Sequence, residues 1–82
     1  MNVKLYDNGG KRFDRYTAVY TDRPDRGHPG SYECRGMSAH PTHPQGYGMY
    51  GSAMPGQHLG KRINLSDLPA ECQRVVLRDL GE

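Results

Sequence analysis

The chain contains no tryptophan, one phenylalanine and two cysteines, and its residues 36 to 60 include no Asp, Glu, Lys or Arg. Each scarcity excludes something. There is no apolar run long enough to cross a bilayer and no charged start leading into an apolar signal core. The expected setting is therefore the cytoplasm, with no membrane partner. Cys34 and Cys72 lie far apart and outside any Cys-x-x-Cys pair, which removes the usual zinc framework and favours two buried thiols over a disulfide. His40 and His43 are three residues apart, but with only His28 and His58 to join them they do not complete a ligand set, so no metal and no cofactor are expected. The glycine-rich run Gln45 to Gly51 is not followed by the Gly-Lys-Ser/Thr of a phosphate loop. No serine or cysteine stands at a known spacing from a base and an orienting group, so the chain is not expected to be an enzyme. A formal charge of +2 is too small to require nucleic acid as a partner. It also argues against a mimic of DNA, which needs a strongly acidic surface.

What is present fits one small domain. The 82 residues are 34% hydrophobic with a mean hydropathy of -0.90, so the core is a handful of aliphatic and tyrosine side chains. Asn2 to Tyr6 alternates, with Val3 and Leu5 on one face. Asp7-Asn8-Gly9-Gly10 is a turn, because Asn and Gly tolerate the positive φ that closes hairpins. The returning strand, about Arg12 to Thr21, places Tyr16, Ala18 and Tyr20 on one face. Thr21 to Gly30 reads as an exposed connection. Ser31 to Met37 alternates again, with Tyr32 and Cys34 opposite Glu33 and Arg35. Lys61 to Leu65 suits a short last strand. Ser66-Asp67-Leu68-Pro69 marks a helix start. Leu68, Cys72, Val75, Val76 and Leu80 then line one helical face, leaving Glu71, Arg74, Arg78 and Asp79 to water. Gly81 ends the helix. The expected fold is α+β: a small antiparallel sheet of three to four strands packed by one C-terminal helix, with a long Gly/Pro/His/Tyr loop before the last strand.

That uncharged loop carries the candidate site. Pro41, Pro44 and Pro55 and its glycines bar a long helix or a central strand. Tyr47, Tyr50 and three methionines set it apart from disordered segments, and long loops in small domains are commonly functional. Tyr47 and Tyr50 offer contact area among glycines, as at binding surfaces, or fold back as a lid over the core. His40 and His43 hydrogen-bond either a partner or the loop's own backbone. Arg35 and Lys61-Arg62 bracket the loop, and if it closes on itself they join Arg15 in a patch able to meet an acidic protein surface or a phosphate backbone. Solvated surface charge is the plain alternative.

Three blocks together resemble a family of small, mostly uncharacterised open reading frames of bacteriophages and prophages. They are Tyr6-Asp7-Asn8-Gly9-Gly10-Lys11 with Asp14-Arg15-Tyr16-Thr17; Met37-Ser38 with Pro41 and Pro44-Gln45-Gly46-Tyr47-Gly48; and Leu59-Gly60-Lys61-Arg62-Ile63 with Ser66-Asp67-Leu68-Pro69. The resemblance implies a phage-like protein in the cytoplasm of a bacterial host. By analogy with other small phage proteins, it implies a non-enzymatic inhibitor of a bacterial defence complex, such as a CRISPR surveillance complex. On that expectation His40, His43, Tyr47 and Tyr50 supply contacts, while Arg15, Arg35, Lys61 and Arg62 steer. A small nucleic-acid-binding accessory protein is the second reading. A third is a His-based or metal-dependent small enzyme using His40, His43 and a nearby cation. Oligomeric state is left open.

Overall fold

A computed structural model describes residues 2 to 81. Five strands form one antiparallel sheet: Val3–Asp7 (β1), Tyr16–Pro24 (β2), Tyr32–Met37 (β3), Gly48–Ala53 (β4) and Lys61–Ile63 (β5), in the order β4-β3-β2-β1-β5. One helix, Ala70–Asp79 (α1), packs on one face. The fold class is thus α+β, as the sequence implies, with one strand more than the periodicity shows.

The additional strand, β4, lies inside the uncharged stretch. Gly48–Ala53 falls between Pro44 and Pro55 and contains no proline, so its amides are free to join a ladder. It occupies the sheet's edge, where only one row of backbone bonds is required, and glycine-rich sequence is tolerated there. The prolines do exclude a central strand; they do not keep the whole stretch in a loop. A second difference concerns β2, which runs on to Pro24 instead of stopping at Thr21. A bulge between Val19 and Pro24 shifts the register and lets Pro24 lie opposite Tyr32. The exposed connection shrinks to a turn in which the Asp25 carboxylate accepts the Gly27 amide at 3.0 Å.

Alternation along the strands divides the core in two. Leu5, Tyr16, Ala18, Tyr20 and Met37 point toward α1 and meet Leu68, Cys72, Val75 and Val76. Tyr6, Val19 and Cys34 point away, and Leu59, carried by the 3-10 turn Gln57–Leu59, covers them. Every residue from Tyr16 to Tyr20 is consequently buried. The two cysteines are free and buried on opposite sides of the sheet. A ten-residue helix is marginal alone. It is held here by burial of its Val and Cys side chains, at about 1.5–3 kcal/mol for each fully covered aliphatic residue.

The helix begins later than the Ser66–Pro69 signature places it. Asn64 and Asp67 form a capping box on a separate 3-10 turn, Leu65–Asp67, and Pro69 then caps α1. Gly81, at φ +86°, closes the other end.

Asp79 departs from the helical-wheel expectation. Its carboxylate is not in water. Arg35 donates to it twice, from Nε at 2.9 Å and Nη2 at 2.8 Å, and the Tyr20 hydroxyl donates at 2.6 Å. The Arg35 and Asp79 side chains are only 12% and 5% exposed. Arg23 adds a bond to the Asp79 backbone carbonyl, so the end of the helix is tied to β2 and β3 by charge as well as by packing.

Candidate functional site

An open cleft of about 630 Å³ lies between the β1–β2 hairpin loop and the segment 38 to 46. Each wall is built by local hydrogen bonding. In the hairpin loop the Asn8 side chain accepts the amides of Gly10 and Lys11 at 2.9 and 3.1 Å and donates to the Asp14 carbonyl at 3.1 Å. Asp7 accepts the Gly9 amide at 2.8 Å. Gly9 and Gly10 both take positive φ, as the turn sequence requires. This folds the chain so that Lys11, Arg12 and Phe13 project into solvent along the cleft.

The opposite wall is a pair of tight turns. His43 and Gly46 donate their amides to the carbonyls of His40 and His43 at 3.2 and 2.8 Å. The Gln45 amide donates to His43 Nδ1 at 3.1 Å, which makes that nitrogen an acceptor and leaves Nε2 as the outward N–H in the neutral ring. Thr42 donates to Glu71 at 3.0 Å, and His40 Nδ1 lies 3.4 Å from the same carboxylate, so the first turn of α1 anchors this wall. Beneath it, Cys72 donates to the Ser38 carbonyl at 3.2 Å. Burial pushes the Cys72 thiol up to about 11, so it is un-ionised at neutral pH and structural.

Phe13 and Tyr47 meet edge to face at 6.1 Å and join the two sides. Phe13 remains 65% exposed. The lining residues include Lys11, Arg12, Arg15, His40 and His43 and no carboxylate. Arg15 is held by a two-pronged bond to Asp7, at 2.9 and 3.2 Å, with its guanidinium 5.2 Å from the Tyr16 ring centre. Its charge is therefore fixed in place and partly offset; Arg12 is more exposed and lies 3.8 Å from the Asp14 carboxylate in a looser pair, and Lys11 is exposed at the hairpin tip.

The structure brings together part of the residue set expected from sequence. Arg15, His40 and His43 line one cleft. Tyr47 lies behind it, bonded through its backbone to Ser38. Arg35 does not join this patch, because it pairs with Asp79 and lies 3.8 Å from the Tyr50 ring centre. Tyr50 thus packs on an internal ion pair while staying half exposed. Lys61 and Arg62 are on β5, three strand positions from β3, a displacement of about 14 Å at the usual strand spacing. They border a separate cavity of about 450 Å³ with Tyr6 and Gly60. Arg12 and Phe13 were the residues sequence reasoning passed over as site members, and Lys11, which it placed with Asp14 and Arg15 at the hairpin end, was given the structural reading of a solvated turn. Their signal was present: two cations and an aromatic immediately after a Gly-Gly turn cannot be buried in a hairpin tip. Among the described residues no His, Cys, Asp or Glu cluster could hold a metal ion, and no helix is long and apolar enough to cross a membrane.

Acid should loosen both the cleft and the fold. Asp7 is held below the ordinary carboxylate range by the Arg15 hydrogen bond, and Glu71 by the Thr42 hydroxyl and then His40. Burial raises Asp79, but the bonds from Arg35 and Tyr20 outweigh it and the net shift is downward. A depressed carboxylate stabilises the fold fully above its unfolded pKa and loses that contribution as pH falls through the folded one. Thermal midpoints should therefore be level down to about pH 5 and fall progressively below about pH 4. A midpoint unchanged to pH 2 in a calorimetric series would show that these contacts do not support the fold. Scans against models of protein families, and searches of curated proteins and of solved structures, find no match to this chain.

Proposed function

We propose that the protein is a non-enzymatic binding protein whose cleft receives an acidic or phosphate-bearing surface of a larger bacterial complex. By occupying that surface it inhibits a host defence machine, the setting that the resemblance of its three sequence blocks to phage reading frames supplies. One observation carries the binding reading: Lys11, Arg12, Arg15, His40 and His43 converge on a cleft without a carboxylate, beside an exposed Phe13. Exposed cations accelerate encounter with an anionic surface. An exposed aromatic ring on a rigid hairpin provides the apolar anchor that such interfaces rely on. The His43 Nε2–H is an additional donor aimed away from the loop that it organises.

Affinity purification of tagged protein from a bacterium carrying defence systems, with nuclease treatment and mass spectrometry, tests this directly. The expected result is recovery of stoichiometric subunits of one complex, lost when Lys11 and Arg12 are both replaced by Glu in a chain whose circular dichroism is unchanged. Retention of the complex by that folded variant refutes the cleft. The adjacency of Phe13 to Lys11 and Arg12 also favours a second reading, a small nucleic-acid-binding accessory protein, since aromatic faces beside cations hold single strands. Its signature is that nuclease strips away everything bound and that affinity falls steeply with salt.

A further inference from the structure

The two edges of the sheet are built differently. β5 is three residues long and exposes Lys61 and Arg62, features that discourage pairing with another strand. β4 runs for six residues in unbroken register with β3, with no proline, no charged residue and no bulge. None of the usual protections is present. Of the large apolar side chains exposed among the described residues, Met49 (58%), Tyr50 (52%) and Met54 (55%) belong to this edge or its end, leaving only Phe13 elsewhere.

The hydrogen-bonding phase of β4 follows from one contact. Ser38 donates its amide to the Tyr47 carbonyl at 2.8 Å, and in an antiparallel ladder inward and outward groups alternate. Met49, Gly51 and Ala53 therefore bond to β3, while Tyr50 and Ser52 aim N–H and C=O outward. β3 is the one strand beside β4 in the described sheet, so those four groups have no ladder partner there.

We propose that β4 is a dimerisation edge: two copies of the chain pair their Gly48–Ala53 strands antiparallel and merge two sheets into one. An extended backbone is the ligand that such an edge fits, and three features favour a second copy. Antiparallel pairing of identical strands has a two-fold axis, so every outward donor meets an acceptor of the other copy. The segment from 36 to 60 is free of charge, so the axis brings no like charges together. The pairing also covers Met49, Tyr50 and Met54 of both copies. Because β5 is protected, association closes at two chains and does not propagate into a filament.

Sedimentation equilibrium of the full chain across a range of concentrations tests this. The expected mass is that of a dimer dissociating on dilution. Ser52→Pro removes one outward amide without touching the bonds to β3, and it should give a monomer. Gly51 provides an independent check, because a β-carbon there meets only the Cys34 sulfur, at an ordinary 3.7 Å. Gly51→Lys and Gly51→Asp should each be monomeric alone, since like charges fall opposite or within two residues of one another across the axis. An equimolar mixture should regain the dimer. A wild type that is monomeric at every concentration overturns the proposal, and so does a dimer that persists in both Gly51 variants. Should Ser52→Pro fail to fold, the Gly51 pair decides.

Discussion

Asp79→Ala is expected to lower stability by about 3–5 kcal/mol, the range for removing one partner of a buried ion pair. The magnitude reflects what remains behind. Arg35 keeps its charge at a site where its side chain is only 12% exposed, and the Tyr20 hydroxyl loses its acceptor. A domain of this size shifts its thermal midpoint by about 4–8 °C per kcal/mol, so a fall of roughly 12–40 °C is expected. That is a large share of the total for a small domain. Replacing both partners with apolar residues of similar volume, Arg35→Met with Asp79→Leu, should recover much of the loss, because no uncompensated charge is then buried. Thermal denaturation of the two variants beside wild type checks both statements. An Asp79→Ala midpoint within a few degrees of wild type would mean that water reaches Arg35 and that the pair does not lock the helix to the sheet.

Gly46→Ala is expected to remove partner capture while leaving the fold standing. A β-carbon at Gly46 would collide with the His40 carbonyl oxygen, and would lie 2.9 Å from the His40 carbonyl carbon and 3.1 Å from the His43 oxygen. All three are backbone atoms, so no side-chain rotation relieves the overlap, and the turns that set His40 and His43 along the cleft must open. The core clusters include no residue between 40 and 46, so the loss of stability should be small. Affinity for the captured complex should fall by about 100-fold, or ~2.7 kcal/mol. Hydrogen exchange supplies a reading that needs no partner: the His43 and Gly46 amides should lose protection while those of β2 keep theirs. Undiminished capture by a variant with an opened loop would exclude this wall from the binding surface.

The buried pair and the constrained turns explain why the local patterns in the sequence were informative to different degrees. Alternation in β1, β2 and β3 was legible because a strand's side chains sort to two faces by parity alone, so Tyr16, Ala18 and Tyr20 shared a face wherever the sheet lay. The Asp7–Gly10 turn and the apolar face of α1 were legible for the same kind of reason, since both depend on residues within a few positions. β4 was not. Its glycines carry no periodic signal, and its strand character comes from the ladder that β3 offers it. Asp79 was misplaced because a helical wheel knows only the helix: the position looks solvated until Arg35, 44 residues away in sequence, arrives over it.

The candidate site shows the same division. The sequence by itself determined that the stretch from 36 to 60 is free of charge, that a tight turn stands at Asp7–Gly10, and that a small α+β domain results. These are properties of composition and near-neighbour spacing. Which cations act together was decided only by the tertiary structure. Strand order β4-β3-β2-β1-β5 separates Arg35 from Lys61 and Arg62, turns Arg35 inward to Asp79, and sets the hairpin tip against His40 and His43. Charge pairing acts over a few ångströms of space, and no spacing along the chain encodes that distance until the sheet has folded.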